Sequence, residues 1–151
     1  MTNVKFSTLY PLPERLQPRL AELEGYWDSI KRGFGIMPYW DDLDMTKLAA
    51  LRNQVMLFDV MEGQPRFRFN LVGASIAEAY GESLDGRFAD EVPPTSPFHE
   101  LSEQCRATVT ESAPTYFRFA PAEGEPYARL LLPLWGNGYI QMLIGAIESG
   151  G

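Results

Sequence analysis

Thiol and imidazole groups are scarce in this chain, which has one cysteine, Cys105, and one histidine, His99, among 151 residues. A single cysteine cannot form an internal disulfide, and these two residues cannot build a zinc site rich in cysteine or histidine. His99 directly follows Phe98 at the predicted start of a helix, which favours a surface or half-buried position over haem ligation. The composition therefore predicts no haem and no tightly bound metal.

Common catalytic signatures are also missing from the sequence. Ser75 has no Gly-x-Ser-x-Gly elbow around it, no phosphate-binding glycine loop occurs, and the glycines of residues 73–86 do not have dinucleotide-binding spacing. Cys105 lies between Gln104 and Arg106, outside the Asn-Cys-Arg-Phe-Leu-Gln signature of flavin photoreceptors, and is interpreted as a buried apolar thiol. We expect no cofactor and no enzyme activity.

Basic charge is in deficit, with 13 Lys and Arg against 20 Asp and Glu and a net charge of −7. This balance disfavours binding to a nucleic-acid backbone. No apolar run is long enough for a membrane span, and residues 1–16 do not contain the apolar core of a signal peptide, so we expect a cytoplasmic protein. Asp41 and Asp42 fit solvated turn positions, and Asp44 fits the cap of a short helix from Met45 to about Arg52, which disfavours a metal site there.

Residues 1–17 are predicted to be an extended lead-in, and residues 18–149 a single domain. A helix starting at Pro18 and ending near Gly33 has an apolar stripe at spacings of three and four, formed by Leu20, Leu23, Trp27 and Ile30. The stripe could pack on the domain's own sheet, or it could also meet a second copy. Because Tyr26 and Trp27 point about 100° apart, one of them should face outward. We therefore predict a homodimer with its contact at this stripe.

Five segments have the pattern of β-strands. Residues 55–61 are mostly apolar, residues 66–71 alternate so that Phe67, Phe69 and Leu71 share a face, and strands follow at 115–120, 127–135 and 139–147. Helices are predicted at 74–80 and from Ser96-Pro97 onward, with Phe98, Leu101 and Cys105 facing inward. The predicted fold is a five-stranded antiparallel α+β sheet with helices on one face and the N-terminal helix near the other.

Motifs in this order resemble a known family. They are Tyr26-Trp27, Arg32-Gly33, Met37-Pro38, Leu43-Asp44, Asp59-Val60, the run from Arg66 to Gly73, Gly81, Gly86, Pro114 and the run from Tyr127 to Leu134. Together they are similar to the PAS_5 family, the PAS-type sensory domains of α-proteobacteria, over residues 23–147. Asp44-Met45 departs from the Asp-Pro of that family. The resemblance implies a PAS fold with a sensory or protein-interaction role and no fixed cofactor.

A curved sheet under short helices can enclose a ligand cavity. The candidate lining residues, which could equally be plain core, are Phe67, Phe69, Ile76, Tyr80, Phe88, Leu101, Cys105, Phe117, Arg129, Leu131 and Leu143. Arg129 shares a strand face with Leu131 and Pro133, and a guanidinium on a partly buried face needs a carboxylate partner. The sequence offers Asp59 and Glu62 as internal partners, or an acidic ligand.

Two classes of function remain open. The first is a single-domain signalling protein that acts by contact with an unidentified partner protein, with or without control by a small apolar ligand. The second is a small-molecule binding protein without a signalling output, and an enzyme of unknown class is a distant alternative. Because the chain ends soon after its last predicted strand, any output is expected to pass through surfaces of this domain.

Overall fold

The computed structural model describes residues 7–63 and 65–150. The helices are α1 (Pro18–Ser29), α2 (Ala74–Tyr80) and α3 (Leu101–Glu111), with short 3-10 helices at Trp40–Asp42, Met45–Leu51 and Ala89–Glu91. The strands are β1 (Val55–Val60), β2 (Phe67–Val72), β3 (Thr115–Phe119), β4 (Tyr127–Trp135) and β5 (Ile140–Ser149). In the described ranges no helix is both long and apolar enough to cross a membrane.

The five strands form one antiparallel sheet in the order β2-β1-β5-β4-β3. The last strand in the chain, β5, lies at the centre, and it and β4 are buried along almost their whole length because both faces are covered. Helix α1 packs against β4 and β5 on one face, and α3 packs against β3 and β4 on the other. This arrangement confirms the predicted PAS-like α+β fold.

The apolar stripe of α1 lies inside the domain. Leu20 and Leu23 are completely buried, Trp27 is 3% exposed, and the Trp27 indole Nε1 donates to the Pro133 carbonyl at 2.9 Å. Of the four residues predicted as a dimer contact, only Ile30 is half-buried rather than buried. The side chains of Leu20, Leu23 and Trp27 therefore pack on the sheet of their own chain, and a dimer contact at this stripe stays a prediction.

Tyr26 takes the position expected if α1 caps the sheet. It is half-buried, and its hydroxyl accepts from the Asp44 amide at 2.7 Å. Asp44 in turn accepts from the amide and the hydroxyl of Thr46 at 3.0 and 2.6 Å, so the predicted helix cap is confirmed. Asp42 forms a bidentate ion pair with Arg32 at 2.6 and 2.9 Å, rather than standing free in a turn.

Helix α3 begins later than the sequence pattern predicts. Ser96 and Pro97 lie outside it, the helix starts at Leu101, and Glu100 before it has a left-handed backbone with φ of 55°. His99 therefore precedes the helix instead of occupying its first turn. The carbonyls of Pro97 and His99 both point to the guanidinium of Arg129, at 2.9 and 2.6 Å, and so hold this segment out of the helix.

Strand β2 carries a register irregularity. Phe69 pairs with Phe58 and Leu71 with Leu57, so one residue of β2, Asn70, is inserted between two adjacent pairs. Phe67 and Phe69 are buried as predicted, but Leu71 is turned away from their face and is 37% exposed. The predicted turn includes Gln64, which lies outside the described residues.

Residues 7–17 run along the open edge of β3. The Tyr116 amide donates to the Tyr10 carbonyl at 2.9 Å, and the Thr8 hydroxyl donates to Glu111 at 2.6 Å. This segment therefore covers an edge that would otherwise expose unpaired backbone groups. The first six residues of the predicted lead-in lie outside the described part of the chain.

Candidate functional site

Arg129 is the largest fully buried side chain of the domain, with 0% exposure. It lies in β4 between Phe117 of β3 and Ile147 of β5. All three guanidinium nitrogens donate hydrogen bonds: Nε to Gln104 Oε1 at 2.7 Å, and the other two to the carbonyls of Pro97 and His99. The guanidinium carbon also lies 4.9 Å from the centroid of the Phe117 ring, a cation–π arrangement.

Neither internal carboxylate that the sequence offered to Arg129 is its partner. Asp59 pairs instead with Arg68 at 3.0 Å and accepts from Asn70 at 3.1 Å, and Glu62 is exposed in the turn after β1. Within residues 7–63 and 65–150 no carboxylate forms an ion pair with Arg129. Burial accordingly lowers the pKa of Arg129 from its ordinary value, and neutral oxygens alone hold the guanidinium.

Gln104 links this arginine to α3 and β3. Its amide nitrogen donates to the Thr115 hydroxyl at 3.1 Å and to the Arg129 carbonyl at 3.2 Å. The Thr108 hydroxyl is 2.6 Å from that of Thr115 and donates to the Gln104 carbonyl at 2.8 Å. These buried polar groups satisfy one another, so the network fixes α3 on the sheet. Sequence reasoning placed Cys105 on the inward face of the helix but missed Gln104, which precedes it.

An aromatic cluster closes one side of the network. His99 is half-buried and stacks on Phe119 with ring centroids 3.8 Å apart. The Tyr127 hydroxyl accepts from the His99 amide at 3.1 Å and lies 2.9 Å from His99 Nδ1. Burial raises the pKa of Tyr127. Burial and a hydrogen bond to Glu100 at 2.8 Å likewise raise the pKa of Tyr10, so both phenols stay protonated near neutral pH.

An open cleft of about 770 Å³ lies next to this cluster, between α2, the 96–97 segment, the turn between β3 and β4, and the end of β5. Its apolar walls include Ile76, Ala79, Pro97, Tyr127 and Ile147. Its polar lining consists of Arg19, Gln54, Ser75, Ser96, Glu123, Glu125, Glu148 and Ser149. Pro97 and Tyr127 belong to both the cleft and the arginine cluster, so the two features share a wall.

Gln54 lies in the wall of the cleft and has an unpaired polar atom. Its side-chain oxygen is buried and has no hydrogen-bond partner among the described residues. Buried polar atoms are nearly always paired, because an unpaired one costs about 1–3 kcal/mol. The carboxylates of Glu123, Glu125 and Glu148 give the cleft three acidic groups against one base, Arg19. The cleft is therefore suited to a molecule that combines an apolar body with hydrogen-bond donors.

The predicted cavity residues are mostly core. Seven of them are buried and packed together: Phe67, Phe69, Ile76, Leu101, Cys105, Leu131 and Leu143. Tyr80, Phe88 and Phe117 are half-buried. Only Ile76 of the predicted set lines the cleft, and Arg129 lies behind its wall. Most cleft residues are polar or come from turns, which carry no periodic signal, and sequence reasoning missed them.

Cys105 and the acidic residues show no sign of a reactive or metal-binding arrangement in the part of the chain that is described. Burial raises the pKa of the Cys105 thiol to about 12, so it stays protonated near neutral pH. The described residues contain no group of three or more His, Cys, Asp or Glu that could hold a metal ion.

No protein-family model matches the chain, and no curated protein matches it. Among solved structures it is similar to an RNA-binding light-oxygen-voltage receptor, with 17% sequence identity and a TM-score of 0.40. The match covers 64% of this chain and 29% of that chain, so this chain spans less than a third of the receptor's length. RNA binding is a property of that receptor, and the fold of this chain follows from the strand order and helix placement given above.

Proposed function

We propose that this chain is a PAS-type sensor domain of the PAS_5 kind, which binds a small ligand in the cleft and signals by protein contact. The observation that carries the proposal is the shared wall: Pro97 and Tyr127 line the cleft and are joined to the buried arginine cluster. A ligand that moves Pro97 also moves an acceptor of Arg129. Arg129 is bonded to Gln104 of α3, so occupancy of the cleft can reach the helix through two hydrogen bonds.

The test uses phenethylamine, which has an apolar ring and a donor ammonium, with phenylpropionate as the acidic comparison. Amide shifts in two-dimensional NMR are expected at Gln54, Ser75 and Glu123 with the amine, weaker shifts with the acid, and accompanying shifts at Gln104 of α3. Ala79→Trp should fill the cleft and abolish the response, while Ala74→Trp, on the same helix and outside the cleft lining, should preserve it. Absence of any cleft shift at millimolar amine would refute ligand binding there.

The same experiment separates the sensor from its alternative. Shifts confined to the cleft, with α3 unchanged, would support a small-molecule binding protein without a signalling output. We also propose a binding role rather than an enzymatic one, which is supported by the protonated Cys105 thiol and by the engagement of His99 Nδ1 with Tyr127. The net charge of −7 supports a partner other than nucleic acid.

We also propose that the chain forms a homodimer. No contact residues are assigned to it, since Leu20, Leu23 and Trp27 lie inside the domain. Light scattering after chromatography is expected to give twice the chain mass of 17.0 kDa at micromolar concentrations. A mass of one chain across that range would contradict it. We further propose a cytoplasmic location, which is supported by the free, buried thiol of Cys105 and is tested by cell fractionation.

A further inference from the structure

A second groove, of about 780 Å³, lies on the α1 side of the domain. It is formed by residues 12–14, the second half of α1, the loop at 34–36 and the turn between α3 and β3. Trp27 and Pro114 contribute to its apolar lining, and Phe34 and Ile36 form one wall. We call it the α1 groove. It shares no lining residue with the cleft near Arg129.

Apolar side chains in the loop of this groove are held out in solvent. Phe34 is completely exposed and Ile36 is 40% exposed. Two sets of contacts anchor the loop: the Gly35 amide donates to the Arg32 carbonyl at 2.9 Å, and Arg32 pairs with Asp42 and lies over the Tyr39 ring. Covering one large apolar side chain is worth about 1.5–3 kcal/mol. Two exposed apolar side chains that line one groove with a polar rim are typical of an interaction surface.

The polar rim of the α1 groove is acidic. Glu14, Glu24 and Asp28 line it, against a single base, Lys31. Lys31 is already engaged, with its ammonium 2.8 Å from Asp28 and 4.4 Å from the Trp27 ring centroid. In the described ranges neither Glu14 nor Glu24 forms an ion pair. A second copy would bring acid against acid and a net charge of −7 against itself, so the rim is complementary to a basic partner.

We propose that the α1 groove docks a segment of a partner protein that carries a large apolar anchor flanked by lysine or arginine. This inference rests on the proposed function as a domain that signals by protein contact. The anchor packs against Phe34 and Ile36 above the buried Trp27, and the flanking cations meet Glu14 and Glu24. Since Trp27 is bonded to Pro133 of β4, the docked segment lies one side chain away from the strand that carries Arg129.

The probe is a short peptide with two lysines on each side of a central Phe-Leu pair, and binding is measured by NMR shifts and fluorescence anisotropy on the full chain. Amides of Glu24, Asp28 and Ile36 should shift, and affinity should fall as sodium chloride is raised from about 50 to about 300 mM. The double variant Phe34→Ser, Ile36→Ser should weaken binding about tenfold or more, because about 1.4 kcal/mol is a factor of ten. Glu24→Lys should weaken it through charge alone.

The matched control is Leu71→Ser. Leu71 is about as exposed as Ile36 but lies on β2, away from the groove, so this change should leave peptide binding unchanged. Melting temperatures should be unaltered for Phe34→Ser because its side chain contacts solvent. Equal binding of a peptide with glutamates in place of lysines, shifts outside the groove, or an unaffected double variant would each overturn the proposal. So would a dimer of the wild type that Phe34→Ser converts to a monomer, since a second copy would then occupy the groove.

Failure here is distinguishable from failure of the proposed function. If the cleft responds to phenethylamine and the peptide does not bind, the sensor proposal stands and the docking surface is refuted. If the peptide binds and the cleft gives no response, the docking surface stands and ligand sensing is refuted.

Discussion

Replacing Arg129 by methionine is expected to lower the free energy of unfolding by about 3 kcal/mol, because Gln104 Oε1 and the carbonyls of Pro97 and His99 lose their donor. Each unpaired acceptor costs about 1–3 kcal/mol, and relief of the buried charge offsets part of that sum. For a domain of this size the melting temperature should fall by roughly 6–12 °C. Denaturant unfolding monitored by tryptophan fluorescence measures the change.

Two further variants show whether the hydrogen bonds are responsible. Arg118→Met removes an arginine that is exposed on β3 and should change stability by less than about 0.5 kcal/mol. Combining Arg129→Met with Gln104→Leu should cost less than the two single changes added together, because each change removes the partner of the other. Unchanged stability of Arg129→Met would mean that the guanidinium serves a ligand and not the fold.

The sheet could be predicted because its strands carry local signals. The mostly apolar run of residues 55–61 and the alternation in residues 66–71 each follow from short stretches of sequence. The strand bounds of β4 were predicted to the residue. The inserted residue Asn70 was not, because a bulge depends on the partner strand, and it moved Leu71 to the other face.

The surroundings of Arg129 could not be predicted for a different reason. The sequence shows that a buried guanidinium needs oxygen partners, and it lists the carboxylates that could serve. It does not show that backbone carbonyls 30 and 32 residues away, at His99 and Pro97, will supply them. The same two carbonyls delay the start of α3, so one tertiary interaction accounts for both the wrong partner and the wrong helix start.

The cleft was missed because it is assembled from segments without periodicity. Sequence reasoning searched for ligand space among the apolar faces of the sheet, and those side chains fill the core. The cleft lies instead where α2 meets the end of β5 and a surface turn. Its distinctive atom, the unpaired oxygen of Gln54, becomes recognisable only when all neighbours are in place.

Replacing Trp27 by alanine is expected to cost about 3–5 kcal/mol, the range for removing a buried tryptophan. Its side chain is 3% exposed, and the change also leaves the Pro133 carbonyl without its donor. Trp40→Ala is the matched control. Because Trp40 is 40% exposed, this change should lower the free energy of unfolding by less than about 1 kcal/mol. Thermal unfolding of both variants, followed by circular dichroism, measures the difference.

The dependence of stability on protein concentration then distinguishes the two roles of α1 that the sequence left open, which are packing on its own sheet and contact with a second copy. If Trp27 stabilises the chain by packing on its own sheet, the deficit of Trp27→Ala should be the same at about 5 and about 100 μM protein. If Trp27 instead stabilised a dimer, the wild type would gain stability with concentration by mass action and the variant would not. Because the indole is bonded to Pro133 of the same chain, we expect a constant deficit. If the stability lost in Trp27→Ala grows with protein concentration, the stripe of Leu20, Leu23 and Trp27 lies at an interface between copies.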